Sequence, residues 1–260
     1  MGIINLIYSK MELFEILLNR RTVRDYLDKD VDDELLKKIL SAGIRTSTTG
    51  NMQVYSIIVT RDIKKKQELL PLHFNQRMVT GAPVILTFCA DFNRFSAWCR
   101  QRNANPGYDN FLSFFTAAID ALLAAQTVAI AAEASGLGIC YLGTTTFMAG
   151  KIIEVLNLPK GVVPVTTITL GWPAALPEQP DRLPLDAVVH NETYHNYTPE
   201  DINNIYREKE NRSDSRQFIL ENKKETLAQV FTDIRYKKED NLIFSKSLIK
   251  VLEDQGFMNQ

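Results

Sequence analysis

Three short stretches of the chain carry residue types that could bind a charged or polar ligand. The first is the segment Arg20–Arg24 (RRTVR), which has three guanidinium groups and a hydroxyl within five residues, next to a predicted helix end. Guanidinium groups are planar, forked donors that pair with two phosphate oxygens at a time. The segment therefore indicates a phosphate site. The alternative is a solvated basic face paired with the acidic side chains that follow it, Asp25, Asp28 and Asp30.

The second stretch, residues 47–53 (STTGNMQ), is a run of hydroxyl and amide side chains that leads into a predicted strand. Such groups can read the edge of a polar ring through paired hydrogen bonds. An ordinary turn with local side-chain caps has the same composition. The pattern alone leaves both interpretations open.

The third stretch is GLGICYLG, residues 136–143, followed by Thr144. Its glycines partly match a dinucleotide-binding fingerprint, but Tyr141 stands where the third glycine belongs. The stretch also follows a helix and opens a strand, which is the reverse of the context that this fingerprint requires. We therefore exclude a Rossmann site. Gly143 can still present backbone N–H groups to a ligand at a strand end.

Composition narrows the functional classes further. The chain has 260 residues and a net charge of −1, so nothing indicates a nucleic-acid or anionic-membrane partner. Three cysteines without a CxxC pair predict a reducing compartment, and three histidines without ligand spacing predict no metal site. Neither a Walker loop nor GxSxG occurs. Basic and amide groups without a nucleophile or an acid–base pair are typical of a protein whose cofactor carries the reaction.

These stretches must be positioned by the predicted helices and strands around them. The longest predicted element is Asp109–Ser135, which lacks Gly and Pro and is apolar on almost every side, so it would form a helix about 40 Å long. It is long enough to suggest a membrane span. However, Asp120 and Glu133 interrupt it and no Lys/Arg cluster flanks it, so we expect a core helix shared with a second subunit. The two carboxylates are too far apart for a catalytic pair, and we expect each to be a cap, a buried hydrogen-bonded group or an interface contact.

The remaining pattern predicts an α+β sandwich, a sheet with helices packed against it. Predicted strands cover residues 54–60, 83–90, 138–143 and 162–170, and predicted helices cover 11–19, 33–43, 64–70, 147–157 and part of 231–256. Residues 92–108 read as a surface loop or lid. We expect a single domain over residues 1–260, with residues 1–10 as an extension and about 172–260 as a C-terminal arm and excursion. The short apolar N-terminal run without a basic lead predicts a cytoplasmic protein.

Taken together, the motifs resemble the nitroreductase superfamily of FMN enzymes, especially its oxygen-insensitive NADPH nitroreductase and flavin reductase branch. The resemblance covers residues 11–257, and it lies in the order and spacing of several motifs. These are RRTVRDY (20–26), TSTTGNMQ (46–53), NQ (75–76), ADFNR (90–94), GLGICYLG (136–143), GWP (171–173) and RLP (182–184).

The resemblance implies a set of FMN contacts. The phosphate and ribityl chain would be held by Arg20, Arg21, Thr22 and Arg24, with Arg182 added from the arm. The flavin would be reached from the other subunit by Thr48, Asn51 and Gln53, while Gln76 would meet its pyrimidine edge. The isoalloxazine would lie along Tyr141, Leu142, Gly143 and Thr144, with backbone donors near N5.

The resemblance further implies a nitroreductase-like sandwich whose mainly antiparallel sheet is flanked by helices, with the long helix at the interface of a homodimer. NADPH or NADH would reduce the flavin and a nitroaromatic, quinone or free flavin would reoxidise it, with no catalytic side chain. Arg207, Arg212 and Arg216 could bind the 2′-phosphate of NADPH or form a solvated loop. Two positions depart from the family pattern: Pro180 replaces a lysine, and Thr144 replaces a frequent glycine.

Other interpretations remain open at this point. A reductive dehalogenase or flavin-fragmenting enzyme would use the same fold. A flavin carrier or sensor would bind FMN without turnover, and a structural dimer module would bind no cofactor. The physiological acceptor and the nicotinamide preference do not follow from the sequence, because loops of variable sequence form such pockets.

Overall fold

A computed structural model describes residues 13–259, in which four strands form one antiparallel sheet in the order β1-β2-β4-β3. The strands are β1 (Tyr55–Thr60), β2 (Val84–Asp91), β3 (Gly138–Leu142) and β4 (Val162–Gly171). All eight residues of β2 are buried, because this strand pairs on both edges and is covered on both faces. Its continuous apolar run predicted this position.

The α-helices, in chain order, are α1 Leu13–Asn19, α2 Asp33–Gly43, α3 Ile63–Leu69, α4 Met78–Gly81, α5 Asn93–Gln101, α6 Phe111–Ala134, α7 Ala149–Leu156, α8 Pro199–Asn211, α9 Ser213–Glu221, α10 Leu227–Val230 and α11 Lys238–Gln255. Short 3-10 turns occupy Thr49–Asn51, Leu70–His73 and Leu185–Ala187, and a π-helical turn occupies Phe231–Arg235. The predicted α+β architecture is confirmed.

Helix α6 is the predicted long helix. The Asn110 side chain caps its start by accepting from the backbone N–H of Ser113 (3.0 Å). At its other end Gly136 adopts a φ of 83°, and the backbone N–H of Leu137 donates to the carbonyl of Ala132 (3.0 Å). Together with the bond from Gly136 to the Glu133 carbonyl, this is the hydrogen-bond pattern that ends many helices at a glycine.

The two faces of α6 differ in side-chain size. Most of its alanines, including Ala117, Ala121 and Ala124, are fully buried in the core, where small side chains allow close approach. Its opposite face leaves large apolar side chains exposed: Phe111, Leu112, Phe115, Ile119, Leu122 and Leu123. The length and composition of α6 would allow it to cross a membrane. However, Asp120 is fully buried and the helix packs on the sheet, as in a core helix.

The prediction of a loop over residues 92–108 is wrong for the first half of that range, because α5 occupies Asn93–Gln101. The helix buries only Ser96 and Cys99 while its other residues are polar or partly exposed, so its composition resembles that of a loop. Aromatic contacts fix the segment that follows, with the rings of Phe92 and Tyr108 stacked 4.7 Å apart. The predicted N-terminal extension, residues 1–10, lies outside the described residues.

The chain divides into two compact units. One unit comprises the chain up to Gln179 together with the residues from Phe244 onward, and it contains the sheet. The other unit is Pro180–Ile243. In the second unit a capping box between Thr198 and Asp201 starts α8, so the charged stretch 199–216 is largely helical.

Candidate functional site

The basic segment Arg20–Arg24 lies alongside strand β3. Thr22 and Ile139 form a parallel bridge, and the backbone N–H of Val23 donates to the Ile139 carbonyl (2.9 Å). Gly138 permits this approach, because a Cβ at that position would lie 2.5 Å from the side chain of Val23. The first and third polar stretches of the sequence are therefore neighbours, as the resemblance implies for a shared ligand.

The three arginines of this segment have different environments. Arg24 is exposed, and its guanidinium opposes the rise in the pKa of Cys140 that burial causes. Arg21 is half-buried, and its Nη1 donates to the carbonyl of Pro177 (2.8 Å). Arg20 forms an ion pair with Glu133, with 3.3 Å between Nη2 and Oε1. Arg21 and Arg24 thus keep a net positive charge beside β3.

The end of β3 offers an exposed stretch of backbone. Tyr141 is half-buried and burial raises its pKa to about 12, whereas Leu142 is buried. Gly143 is exposed, and no heavy atom would lie within 4 Å of a Cβ at this position. Thr144 is buried again. A planar group could therefore approach the backbone at Gly143 without displacing a side chain.

The turn that carries Gln76 joins the same region through His73. The amide Nε2 of Gln76 donates to the His73 carbonyl (3.0 Å), and Nδ1 of His73 lies 2.9 Å from Oγ1 of Thr144. His73 is fully buried, and burial lowers its pKa to about 4, so the imidazole is neutral near pH 7. The sequence did not predict the contact of His73 with Thr144, because no local pattern links two residues 71 positions apart.

The polar loop 47–53 is anchored at a different place. Asp120 of α6 is fully buried, and its carboxylate accepts from the backbone N–H groups of Thr49 (2.9 Å) and Val54 (3.4 Å). Gly50, Asn51 and Gln53 all adopt positive φ angles between 54° and 56°. Non-glycine residues at such angles are uncommon and concentrate at functional sites.

This anchor is distant from the arginine segment. Asp120 precedes Glu133, the partner of Arg20, by 13 residues on the same helix, which corresponds to about 20 Å. The chain therefore brings together Arg20–Arg24, Gln76 and Tyr141–Thr144. It holds the loop with Thr48, Asn51 and Gln53 near the middle of α6, at Asp120.

The remaining predicted site residue, Arg182, belongs to the second unit. Its Nη1 donates to the carbonyl of Asp181 (2.8 Å), and the Asp181 carboxylate pairs with Lys209 (2.8 Å). The phosphate contact implied for Arg182 stays a prediction. Among the described residues no group of three or more His, Cys, Asp or Glu side chains could hold a metal ion.

Comparison with known proteins identifies the family. Residues 17–172 match the nitroreductase family. The chain belongs to the nitroreductase family. It is 35% identical over 209 residues to an FMN reductase (NADPH) of Bacillus subtilis, and the match covers 76% of this chain and 84% of that protein. It is 34% identical over 180 residues to an oxygen-insensitive NADPH nitroreductase of Salmonella typhimurium, covering 69% of this chain and 73% of that protein.

Solved structures confirm the nitroreductase fold. The structure of a nitroreductase from Bacillus subtilis shares 30% identity with this chain and superposes with a TM-score of 0.84, covering 96% of this chain and 100% of that structure. The crystal structure of a Bacteroides fragilis protein shares 55% identity and superposes with a TM-score of 0.93, covering 94% of this chain and 100% of that structure.

Proposed function

We propose that this nitroreductase-family chain is an FMN-dependent NAD(P)H oxidoreductase that reduces nitroaromatics, quinones or flavins. The observation that carries the proposal is the bridge between Thr22 and Ile139, which places a basic segment directly beside a strand end with exposed backbone. An anionic phosphate and a polar planar ring need these two surfaces next to each other. The relatives named as FMN reductase and NADPH nitroreductase support the same conclusion.

The residues present fit FMN. Arg21 and Arg24 supply cationic donors for the phosphate, with Thr22 between them and Arg20 at their edge. Gly143 has open space around it, so its backbone can approach the isoalloxazine, and Tyr141, Leu142 and Thr144 flank it. Gln76 would bond the pyrimidine edge. When bound, FMN supplies hydride acceptance and donation at N5, so no titrating side chain is needed there.

Two subunits would complete each site. The loop with Thr48, Asn51 and Gln53 is anchored about 20 Å along α6 from the arginine segment, which is too far to serve the same flavin within one chain. The exposed apolar face of α6 provides the surface that a second copy would cover. We therefore propose an obligate homodimer in which this loop reaches the partner's flavin.

We further propose that the donor and acceptor use one opening in turn. NAD(P)H would enter, give up its electrons and leave before the acceptor binds, which is a ping-pong sequence. The protein would work in the cytoplasm, where its three buried cysteines stay reduced.

An absorbance spectrum of the purified protein tests the proposal. We expect bands at about 450 and 370 nm, as an isoalloxazine gives, and release of FMN by acid. NAD(P)H should bleach the bands rapidly and menadione should restore them. A bound flavin that NAD(P)H does not bleach would instead indicate a carrier or sensor. A colourless protein that added FMN does not convert would indicate a structural dimer module.

A further inference from the structure

His73 is placed so that it could control the geometry of the strand end without touching a ligand. It ends the 3-10 turn Leu70–His73, and the two residues after it, Phe74 and Asn75, both have φ near 55°. This tight reversal buries the imidazole completely and directs it to Thr144. Left-handed φ is uncommon for a residue as bulky as Phe74, so the surrounding structure must hold the turn in this conformation.

The contact joins two pieces of the candidate flavin site. On one side, the carbonyl of His73 accepts from the amide of Gln76 (3.0 Å). On the other side, Thr144 directly follows the exposed Gly143, and its carbonyl accepts from the N–H of Met148 (3.2 Å). A shift of the imidazole would therefore move the Gln76 turn and the Gly143 backbone relative to each other.

The other imidazole nitrogen shows how closely the side chain is confined. Nε2 of His73 is buried and has no hydrogen-bond partner among the residues that the structure describes. Buried polar groups in folded proteins are nearly always paired. The packing around His73 therefore keeps the contact between Nδ1 and Thr144 although Nε2 has no partner there. The group that the imidazole contacts is the Thr144 hydroxyl, which is itself buried.

We propose that His73 is a positioning residue for the flavin, holding Thr144 and through it the exposed backbone of Gly143. The inference rests on the proposed function. Because the backbone at Gly143 would lie beside the redox-active edge, its placement should change the relative affinity for reduced and oxidised flavin. A residue needed only for folding would change stability and leave this ratio unchanged.

A double-substitution cycle tests the inference by its effect on the flavin midpoint potential. We expect His73→Leu and Thr144→Val each to lower the affinity for reduced relative to oxidised FMN about tenfold, equivalent to about 30 mV for a two-electron couple. The double variant should show no further shift, because each substitution breaks the same contact. Thr144→Ser and His73→Gln, which keep a hydrogen-bonding group, should retain most of the wild-type potential.

Thr87→Val is the matched control, because it removes another fully buried hydroxyl from the sheet. It should leave the potential unchanged while lowering the unfolding midpoint. The 15N chemical shifts of the His73 imidazole, measured without flavin, should move in Thr144→Val and stay in place in Thr87→Val. This second readout shows the contact even if a variant binds FMN poorly.

Several outcomes would overturn the role of His73. Unchanged potentials in flavin-loaded His73→Leu and Thr144→Val would make the contact merely structural. Strictly additive shifts in the double variant would mean that the two residues act separately. In both cases the wild-type protein would still bind FMN and be bleached by NAD(P)H, so the proposed function would stand. A wild-type protein without FMN binding would overturn both.

Discussion

Arg20 and Glu133 form an ion pair at the C-terminal end of α6, with 3.3 Å between guanidinium and carboxylate. Both side chains are largely buried, and burial raises the pKa of Glu133 while Arg20 opposes that rise. Arg20 was predicted to bind the phosphate, but the Glu133 carboxylate already offsets its charge. The exposed Arg24 and the half-buried Arg21, which donates to a neutral carbonyl, are therefore the stronger phosphate candidates.

Arg24→Ala should weaken FMN binding about 10- to 100-fold, because one charged hydrogen-bond set contributes roughly 1.5–3 kcal/mol. The measurement is titration of the flavin-free variant with FMN, followed by the quenching of flavin fluorescence. Arg102→Ala removes an exposed arginine at the end of α5 and serves as the control, with no expected change. Equal FMN affinity in both variants would refute the phosphate role of Arg24.

Glu133→Gln should lower the stability of the protein without weakening FMN binding. Removing one partner of a largely buried ion pair should lower the free energy of unfolding by about 1–3 kcal/mol, since Arg20 keeps some solvent contact. FMN affinity should stay equal or rise, because no carboxylate then offsets the positive charge of Arg20. Urea unfolding and FMN titration measure the two effects, with the exposed Glu68→Gln as control. A loss of FMN affinity as large as that of Arg24→Ala would contradict this division of roles.

The sequence predicted most of the fold because its signals are local. Asp32 caps α2, since its side chain accepts from the N–H of Leu35, and Gly136 ends α6. The run from Pro83 to Ala90 predicted the fully buried β2. Helix α5 was missed because its buried face has only Ser96 and Cys99 as fully buried residues, and two such positions do not form an apolar stripe.

Less of the candidate site than of the fold could be predicted from the sequence, because the contacts of the site are long-range. The bridge of Thr22 with Ile139 places the arginine segment beside β3, as the resemblance implies for residues that share a ligand. Neither the pairing of Arg20 with Glu133 nor the contact of His73 with Thr144 has a local signature. Both contacts depend on how helices and turns pack around the sheet, and the periodicity of apolar residues does not predict this packing.

Leu112→Glu should dissociate the proposed homodimer. Leu112 is 71% exposed on the apolar face of α6, and a carboxylate there would have to lose its hydration on association. We expect the mass measured by light scattering to fall from twice the chain mass to 29.5 kDa. FMN should be lost with it, since the loop that carries Asn51 would no longer reach the partner's site.

Leu220→Glu is the matched control for this change. Leu220 is equally exposed, at 77%, but lies on α9 in the second unit. It should leave both the mass and the bound flavin unchanged. A monomeric wild-type protein that retains FMN would refute the two-subunit site.

His73 should make stability depend on pH in the acidic range. Burial lowers its pKa to about 4 in the folded chain, whereas the unfolded chain keeps the ordinary value of 6.5. Above pH 6.5 the imidazole is neutral in both states and has no effect on stability. As the pH falls from 6.5 to 4, the unfolded chain binds a proton that the folded chain does not, so the free energy of unfolding falls by up to about 3 kcal/mol.

The test compares His73→Gln with the wild-type protein by urea unfolding between pH 7.5 and 4.5. Carboxylates titrate alike in both proteins and cancel in the difference. The wild-type protein should therefore lose stability relative to the variant as the pH falls. His195→Gln, which removes an exposed histidine, should show no such difference. Parallel stability curves for His73→Gln and wild type would contradict a depressed pKa.

Arg216 is the best candidate for recognition of the 2′-phosphate that distinguishes NADPH from NADH. Three arginines lie near the junction of α8 and α9, but their partners differ. Arg212 pairs with the Asp214 carboxylate (3.1 Å), which offsets its charge, whereas Arg216 donates to the neutral amide oxygen of Asn211 (2.8 Å). Arg207 likewise donates to the amide oxygen of Asn204. A phosphate should therefore be attracted more strongly by Arg216 than by Arg212.

Arg216→Ala should lower the ratio of NADPH to NADH efficiency (kcat/KM) about tenfold or more, the loss expected for one charged hydrogen bond. Arg212→Ala should lower the ratio less, because the Asp214 carboxylate already engages the Arg212 guanidinium in the wild-type protein. Arg235→Ala removes a cation stacked on Phe218 in the same unit and is the control. NADH efficiency should stay constant in all three variants, since NADH lacks the phosphate. An unchanged ratio in Arg216→Ala would mean that other residues select the nicotinamide cofactor.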